Sequence, residues 1–185
     1  MKKLLVVVDY QKDFVDGALG FPDAVSIEEG IAKTVQHYLA AGDEVLFTFD
    51  THGENYLNTR EGQALPVPHC LDGSDGWQLY GMVQAQCRET CANHQLHQIK
   101  KPTFGMSPAD VLQLAEQLGD VQEILVVGVV TNMCVISNAI LMQAQWPEAQ
   151  IYIDASLCRS FDPVLHEKAL DVMEGLQMKV IHRGN

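Results

Sequence analysis

Cys134 stands where an apolar run, residues 126–130 (VVGVV), gives way to a polar turn and then to a helical pattern. With Thr131 or Asn132 as the N-cap, this cysteine would occupy the first helical turn. Unpaired backbone N–H groups and the helix dipole favour an anion there. A thiolate is the reactive form of cysteine, and such a position lowers its pKa. From position alone, Cys134 fits a nucleophile and an inert buried thiol equally well.

Two further polar residues at predicted strand ends could support a cysteine nucleophile. Asp9 ends the first apolar run and could accept the thiol proton, then pass it to a leaving group. Lys100 or Lys101, just before Pro102, could stabilise a thiolate, but the sequence alone does not fix which lysine points inward. Taken singly, a strand-ending Asp more often caps backbone amides, and a lysine is usually solvated.

A third group of residues has the donor atoms of a metal site. Asp50 and His52 are two residues apart, so in extended backbone their side chains share a face. His69 would be the third ligand, with Glu61 or water as the fourth. Oxygen and nitrogen donors of this kind suit Zn²⁺, with Fe²⁺ or Mn²⁺ as alternatives. An isolated Asp-x-His pair often arises by chance, so this signal is weak on its own.

A competing cluster contains Cys87, Cys91, His94 and His97, whose spacing superficially resembles that of a zinc site. The two cysteines would share one helix face, whereas His97 falls in a predicted strand. Structural zinc sites normally take their ligand pairs from separate knuckles or from a hairpin and a helix. We therefore rank this cluster below packing in the core.

Short apolar runs alternate along the chain with helical patterns. The predicted strands are Lys3–Asp9, Glu44–Asp50, Leu96–Lys100, Glu123–Val130, Gln150–Asp154 and Met178–His182. The predicted helices are Ile27–Ala41, Ala109–Leu118, Asn132–Gln145 and Pro163–Gly175. Ser26 is expected to cap the first helix, with Glu29 completing a capping box. The long connection 51–81 has no sustained period and is expected to be a functional loop.

This alternation predicts an α/β fold, a three-layer αβα arrangement around a six-stranded, mainly parallel, doubly wound (Rossmann-like) sheet. Ligands bind such sheets beyond the carboxyl ends of the strands. The candidate residues Asp9, Asp50 and Cys134 and the adjacent pair Lys100 and Lys101 all stand at those ends, so we expect them to converge at one edge. No repeat or linker divides the sequence, which predicts a single domain over residues 1–185.

The chain has 185 residues and a formal net charge of −12. An acidic surface repels nucleic acid and anionic membranes, so we expect neither as a partner. Five cysteines, an odd number, and a short N-terminal apolar run interrupted by Asp9 are not typical of a secreted protein. We therefore expect a cytoplasmic protein with reduced thiols.

Five segments together resemble the isochorismatase-like cysteine hydrolase superfamily, and within it most closely the nicotinamidases. They are VVVDYQKDF, FTFDTH, LPVPHC, KPTF and VVGVVTNMCV, in that order along nearly the whole chain. The resemblance implies a catalytic triad of Asp9, Lys101 and Cys134. It also implies a cis peptide between Val129 and Val130, which turns the N–H of Val130 towards that of Cys134 to form an oxyanion hole.

The same resemblance implies a divalent metal, held by Asp50, His52 and His69 with Glu61 as a further candidate, that takes the pyridine nitrogen of the substrate. Family members that hydrolyse isochorismate do not use this site. No organic cofactor is expected. The candidate substrate contacts are Phe14, Leu65 and Phe104. Leu65 stands where many nicotinamidases carry a tryptophan, which leaves the exact substrate open.

The resemblance implies hydrolysis of a small carboxamide, nicotinamide first, to the acid and ammonia through a cysteine thioester. The alternatives are an isochorismatase-type or other small-amide or ureido hydrolase, or a non-catalytic binding protein on the same fold. By analogy with the superfamily, we expect a homo-oligomer.

Overall fold

The computed structural model describes residues 2–89 and 95–184. One six-stranded sheet runs through the molecule, in the order β3-β2-β1-β4-β5-β6, and each neighbouring pair of strands is parallel. The strands are β1 (Lys3–Val8), β2 (Glu44–Asp50), β3 (Leu96–Lys101), β4 (Glu123–Val129), β5 (Gln150–Arg159) and β6 (Lys179–Ile181). The predicted α/β fold is confirmed.

Eight α-helices lie along the described chain and cover the sheet. They are α1 (Lys12–Val15), α2 (Pro22–Val25), α3 (Glu28–Ala41), α4 (Arg60–Ala64), α5 (Gly81–Glu89), α6 (Pro108–Leu118), α7 (Ile136–Gln145) and α8 (Pro163–Gly175). A 3-10 turn (Tyr56–Asn58) and a π-helical turn (Thr131–Val135) complete the set. No helix in the described ranges has the length and apolar character needed to cross a membrane.

The two faces of the sheet each support a hydrophobic core, because successive side chains of a strand point to opposite faces. Leu4, Val6 and Val8 of β1 pack in the core that contains residues of α6, α7 and α8. Leu5 and Val7 pack in the other core, with residues of α3 and α5. Burial on both faces explains why β1 is an almost continuous apolar run.

Gly128 allows β1 and β4 to come close together near their carboxyl ends. Its φ is +117°, and a Cβ there would collide with the carbonyl of Val8. The glycine in the VVGVV run therefore permits the approach that brings the ends of these two strands together.

Two local expectations are wrong. Ser26 does not cap α3: its hydroxyl donates to the Asp23 carbonyl at 2.6 Å, and the N-cap of α3 is Ile27, which provides no side-chain hydrogen bond. The strand predicted to end at Asp154 continues to Arg159 beyond an irregularity in its pairing with β4. The long connection 51–81 holds the 3-10 turn and α4.

Candidate active site

Polar side chains at the carboxyl ends of four adjacent strands meet at one edge of the sheet. Asp9 directly follows β1, Asp50 ends β2 and Lys101 ends β3. Cys134 lies in the π-helical turn that follows β4. Because these strands are neighbours in the order β3-β2-β1-β4, residues far apart in sequence converge there.

The Lys101 ammonium stands at the centre of this group and is fully buried. Its Nζ lies 2.6 Å from Asp9 Oδ2, 3.5 Å from Cys134 Sγ and 3.5 Å from Asp50 Oδ1. It also donates to the Thr103 carbonyl at 3.0 Å. One cation therefore contacts the thiol and both carboxylates.

The choice between the two adjacent lysines follows from strand geometry, since their side chains point to opposite faces of β3. Lys100 is half-exposed, pairs with Asp72 at 2.6 Å and lies over the Trp77 ring at 4.6 Å from its centroid. Lys101 is the lysine that faces the site, as the resemblance implied.

Burial perturbs the ionisation of Asp9, Cys134 and Lys101. It raises the pKa of Asp9, and the neighbouring Lys101 charge acts in the opposite direction. Burial also raises the pKa of the Cys134 thiol well above its usual value, while Lys101 lowers it. Burial disfavours the charged form of Lys101, yet Asp9, Cys134 and Asp50 together hold its pKa above the usual value. A carboxyl with a raised pKa can exchange protons with a thiol more readily than an ordinary one.

Asp9 is held in one orientation by its neighbour on β2. Its backbone is in the left-handed region, with φ at +46°, which Asp tolerates better than most residues. The Thr48 hydroxyl donates to Asp9 Oδ1 at 2.6 Å and accepts from the Asp9 N–H at 3.2 Å. This arrangement leaves Oδ2 directed towards Lys101.

Cys134 is held by the π-helical turn and by Asn138. The Val130 carbonyl accepts from the N–H groups of Met133 and Val135, at 3.0 and 3.2 Å. Asn138, fully buried, donates from Nδ2 to the Cys134 carbonyl at 2.8 Å. The Val129–Val130 peptide bond is cis.

Thr131 and Asn132, the two expected N-caps, do not cap the helical turn that contains Cys134. The N-cap position is Val130, without a side-chain hydrogen bond. Thr131 Oγ1 lies 2.8 Å from His166 Nδ1, and Asn132 Oδ1 accepts from the Ser160 hydroxyl at 2.7 Å. Thr131 therefore connects the turn to α8, and Asn132 connects it to the segment between β5 and α8, instead of capping it.

The three predicted metal ligands lie together beside this group, and all are buried. Asp50 Oδ2 lies 2.9 Å from His52 Nε2 and 3.3 Å from His69 Nε2. The three donor atoms lie within 4.8 Å of one another. Burial opposes ionisation of Asp50, but His52, His69 and Lys101 hold its pKa below the usual value. Glu61 Oε1 is 3.7 Å from His52 Nε2, within reach of the same point.

The orientation of His69 fits a bound cation. Its Nδ1 lies 2.8 Å from the Val67 carbonyl, so in the neutral ring Nδ1 carries the proton and donates it there. Nε2 then presents a lone pair towards Asp50 Oδ2, and two acceptors face each other at 3.3 Å. A divalent cation would satisfy both, and one carboxylate with two imidazoles is a donor set suited to such a metal.

A cavity of about 490 Å³ opens onto these residues. Its polar lining includes Cys134, Asp50, His69 and Glu61, and all three predicted substrate contacts line it as well: Phe14, Leu65 and Phe104. The apolar lining also includes Leu19, Met133 and Phe161, which sequence reasoning did not single out. Phe161 follows β5 and Leu19 follows α1, and neither has a residue type or spacing that marks it as a cavity contact.

The competing cysteine–histidine cluster has no metal-like arrangement among its described members. Cys87 is buried in the core, and its Sγ accepts from Gln98 Nε2 at 3.2 Å. His97 Nε2 lies 2.9 Å from Glu44 Oε2. Cys91 and His94 lie outside the described residues.

A family comparison places this geometry in context: the isochorismatase domain model matches residues 3–183. The chain belongs to the isochorismatase family. An isochorismatase family protein, PncA of Bacillus subtilis (strain 168), is 30% identical over 144 residues, which cover 76% of this chain and 78% of the relative.

Similar solved structures support the same assignment. A nicotinamidase/pyrazinamidase, PncA from Bacillus subtilis, superposes with a TM-score of 0.87 at 27% identity, over 97% of this chain and 99% of that one. A pyrazinamidase/nicotinamidase from Streptococcus mutans gives 0.84 at 26% identity, over 97% and 100%. The chain is therefore an isochorismatase-family hydrolase, and its predicted similarity to nicotinamidases is confirmed.

Proposed function

We propose that this chain hydrolyses a small primary carboxamide, nicotinamide first, to the carboxylic acid and ammonia. One observation carries the proposal: the Cys134 thiol and the Asp9 carboxylate both lie within 3.5 Å of the Lys101 ammonium. These groups stand beside a cavity that also reaches the metal donors. The solved structures named as nicotinamidase/pyrazinamidase support the same substrate class.

The first half of the reaction forms a thioester. Asp9 accepts the proton of the Cys134 thiol, and Lys101 stabilises the thiolate by its charge. The sulfur attacks the amide carbon, and the electron pair of the carbonyl bond moves to oxygen. The N–H groups of Val130 and Cys134 bind that oxyanion. Loss of one such donor typically costs about two to three powers of ten in rate.

The second half releases both products. The tetrahedral intermediate collapses, the carbon–nitrogen bond breaks, and Asp9 returns its proton to the leaving nitrogen, so that ammonia departs. Asp9 then accepts a proton from a water molecule that attacks the thioester carbon. The carbon–sulfur bond breaks, the acid leaves, and the thiol of Cys134 recovers the proton.

Asp50, His52 and His69 would hold a divalent metal, with Glu61 or water completing the coordination, and Zn²⁺ is the first candidate. When bound, this Lewis acid would accept the ring nitrogen of the substrate and orient the ring. Cys134 Sγ and Asp50 Oδ1 each lie 3.5 Å from Lys101 Nζ, so they are separated by at most twice that distance. A single aromatic ring can therefore contact both halves of the site.

An ammonia-release screen tests the proposal directly. Nicotinamide, pyrazinamide, ureido compounds and isochorismate are compared, with metal analysis of the same preparation. We expect turnover of the two ring amides and roughly one divalent metal per chain, since one donor cluster is present among the described residues. Turnover of isochorismate alone, by protein that binds no metal, would contradict the proposal.

A labelling experiment separates an enzyme from a binding protein on the same fold. Cys70, Cys87 and Cys158 are buried like Cys134, but only Cys134 of these four lines the cavity. Iodoacetamide near neutral pH should therefore modify Cys134 first, as mapped by peptide mass spectrometry. Slow and equal modification of the four thiols would indicate that no thiol is activated.

A further inference from the structure

The cavity beside Cys134 differs in chemistry between its inner and outer parts. The inner part holds the thiol and the metal donors. The outer part is apolar, and two of its rings are partly exposed to solvent: Phe104 is 39% exposed and Phe161 57%. The cavity volume of about 490 Å³ lies within the range of sites that hold drug-sized ligands. Nicotinamide, one ring with one carboxamide, would fill only part of that space.

Phe161 is presented by a segment that is fixed on both sides. Ser160, just before it, donates to Asn132 Oδ1 at 2.7 Å and accepts from the Asp162 N–H at 3.0 Å. Asp162 in turn caps α8 through the N–H groups of Val164 and Leu165. The Phe161 ring packs edge-to-face against Phe21, with 6.2 Å between the ring centroids, and also lines the cavity. An aromatic ring on an anchored backbone in a cavity wall suits an apolar ligand contact.

The opposite side of the reacting carbon has no comparable room. The leaving nitrogen must reach Asp9, which is fully buried together with Lys101 and Thr48. A bulky substituent on that nitrogen would have to displace these side chains. Any extension of the substrate must therefore lie on the acyl side, where the cavity is wide and apolar.

We propose that the preferred substrate is a primary carboxamide whose acyl ring carries an apolar substituent, and that Phe161 and Phe104 bind this substituent. The inference rests on the proposed amide hydrolysis and specifies its substrate class. With the ring nitrogen at the metal donors and the carboxamide at Cys134, ring position 5 is meta to both attachment points and opposite the ring carbon that lies between them. A substituent there points towards the rim.

The experiment compares nicotinamide with its 5-propyl and 5-phenyl derivatives by ammonia release. Each buried methylene group is worth about a factor of four in binding, so we expect kcat/KM to rise at least tenfold for 5-propylnicotinamide. Phe161→Ala should reduce this preference at least threefold. Val164→Ala is the matched control: it is 62% exposed on the adjacent α8, does not line the cavity, and should leave the preference unchanged.

The outcomes distinguish this inference from the proposed function. Turnover of nicotinamide with equal or poorer turnover of both derivatives would overturn the inference and leave the amidase proposal standing. If none of the three amides releases ammonia, the amidase proposal fails. Calorimetric titration of Cys134→Ala protein then decides the inference alone: tighter binding of 5-phenylnicotinamide than of nicotinamide supports it, and equal or weaker binding overturns it.

Discussion

The nucleophile turn (residues 129–135) and the metal loop (residues 51–70) form the two halves of the site in different ways. The nucleophile turn begins directly at the end of β4, and hydrogen bonds to its own carbonyls hold it. The metal loop is longer. The His52 N–H donates to the Cys70 carbonyl at 3.0 Å and joins its two ends, and ring packing connects its two histidines. The Tyr56 ring lies 4.5 Å from the His52 ring and 5.0 Å from the His69 ring, centroid to centroid.

The two halves of the site meet two different requirements, precise placement of the reacting atoms and orientation of the substrate. Bond making at Cys134 needs atoms placed within a fraction of an ångström, which a turn anchored to the sheet provides. Ring orientation by the metal loop tolerates more variation, because its contribution is to hold the substrate in place. We therefore expect changes in the nucleophile turn and its partners to affect kcat most, and changes in the metal loop to affect KM most.

Removal of the nucleophile should have the largest effect. Cys134→Ala should lower kcat for nicotinamide by at least about four powers of ten, because no other described thiol lines the cavity. Cys158→Ala is the control, since Cys158 is equally buried but faces the Val126 carbonyl on β4. Circular dichroism should show both variants folded. Near wild-type turnover by Cys134→Ala would refute the thioester mechanism.

Removal of the proton acceptor should come next. Asp9→Asn keeps the size of the side chain but cannot take the thiol proton, so kcat should fall about a thousandfold while KM changes little. The rate of iodoacetamide labelling at Cys134 should fall as well. Asp75→Asn, which removes an exposed partner of Lys12, serves as the control. A change confined to KM would place Asp9 in substrate binding instead.

Disruption of the metal loop should have a smaller effect of a different kind. His52→Ala should lower the metal content of the purified protein and raise KM about ten- to a hundredfold, with a smaller fall in kcat. His97→Ala is the matched control, because that imidazole pairs with Glu44 outside the cavity. A large fall in kcat at unchanged KM would contradict the assignment of substrate binding to the metal loop and of bond making to the nucleophile turn.

The smallest effect on activity should come from the support of the nucleophile turn. Asn138 donates to the carbonyls of Cys134 and Phe104 and accepts from the Met106 N–H. Asn138→Ala leaves these buried groups without that partner. We expect a loss of about 2 kcal/mol in the free energy of unfolding and a fall in kcat of about tenfold.

Urea denaturation measures that loss of stability. Gln143→Ala is the control on the same helix, because it removes one exposed hydrogen bond to the Leu176 carbonyl and should cost under about 1 kcal/mol. If Asn138→Ala is as stable and as active as the control, the tie between α7 and the segment after β3 has no role in placing the thiol.

Much of the site could be predicted from the sequence, because parallel strands place their carboxyl ends at one edge. That rule brought Asp9, Asp50, Cys134 and a lysine at the end of β3 together without knowledge of the loops. It did not choose between Lys100 and Lys101, since the choice depends on which face of β3 is covered. Only the resemblance to known hydrolases selected Lys101.

The errors at predicted helix starts concern short polar side chains, and two of the three have partners that are distant in sequence. Ser26, Thr131 and Asn132 all have the residue types of helix caps. The structure instead pairs Thr131 with His166 and Asn132 with Ser160, 35 and 28 residues away. Local patterns contain no information on such contacts. Phe161 was missed for the same reason, because its position at the cavity depends on the bonds of Ser160.

Lys101 connects the two halves of the site, and this limits how the enzyme can change. A single positive charge neutralises Asp9, the proposed proton acceptor, and Asp50, which would bind the metal. A descendant that gave up its metal ligands would leave that ammonium with one counter-ion fewer and alter the basicity of the remaining acid. Evolutionary or engineered loss of metal dependence should therefore require compensating substitutions around the lysine, acquired together and not one at a time.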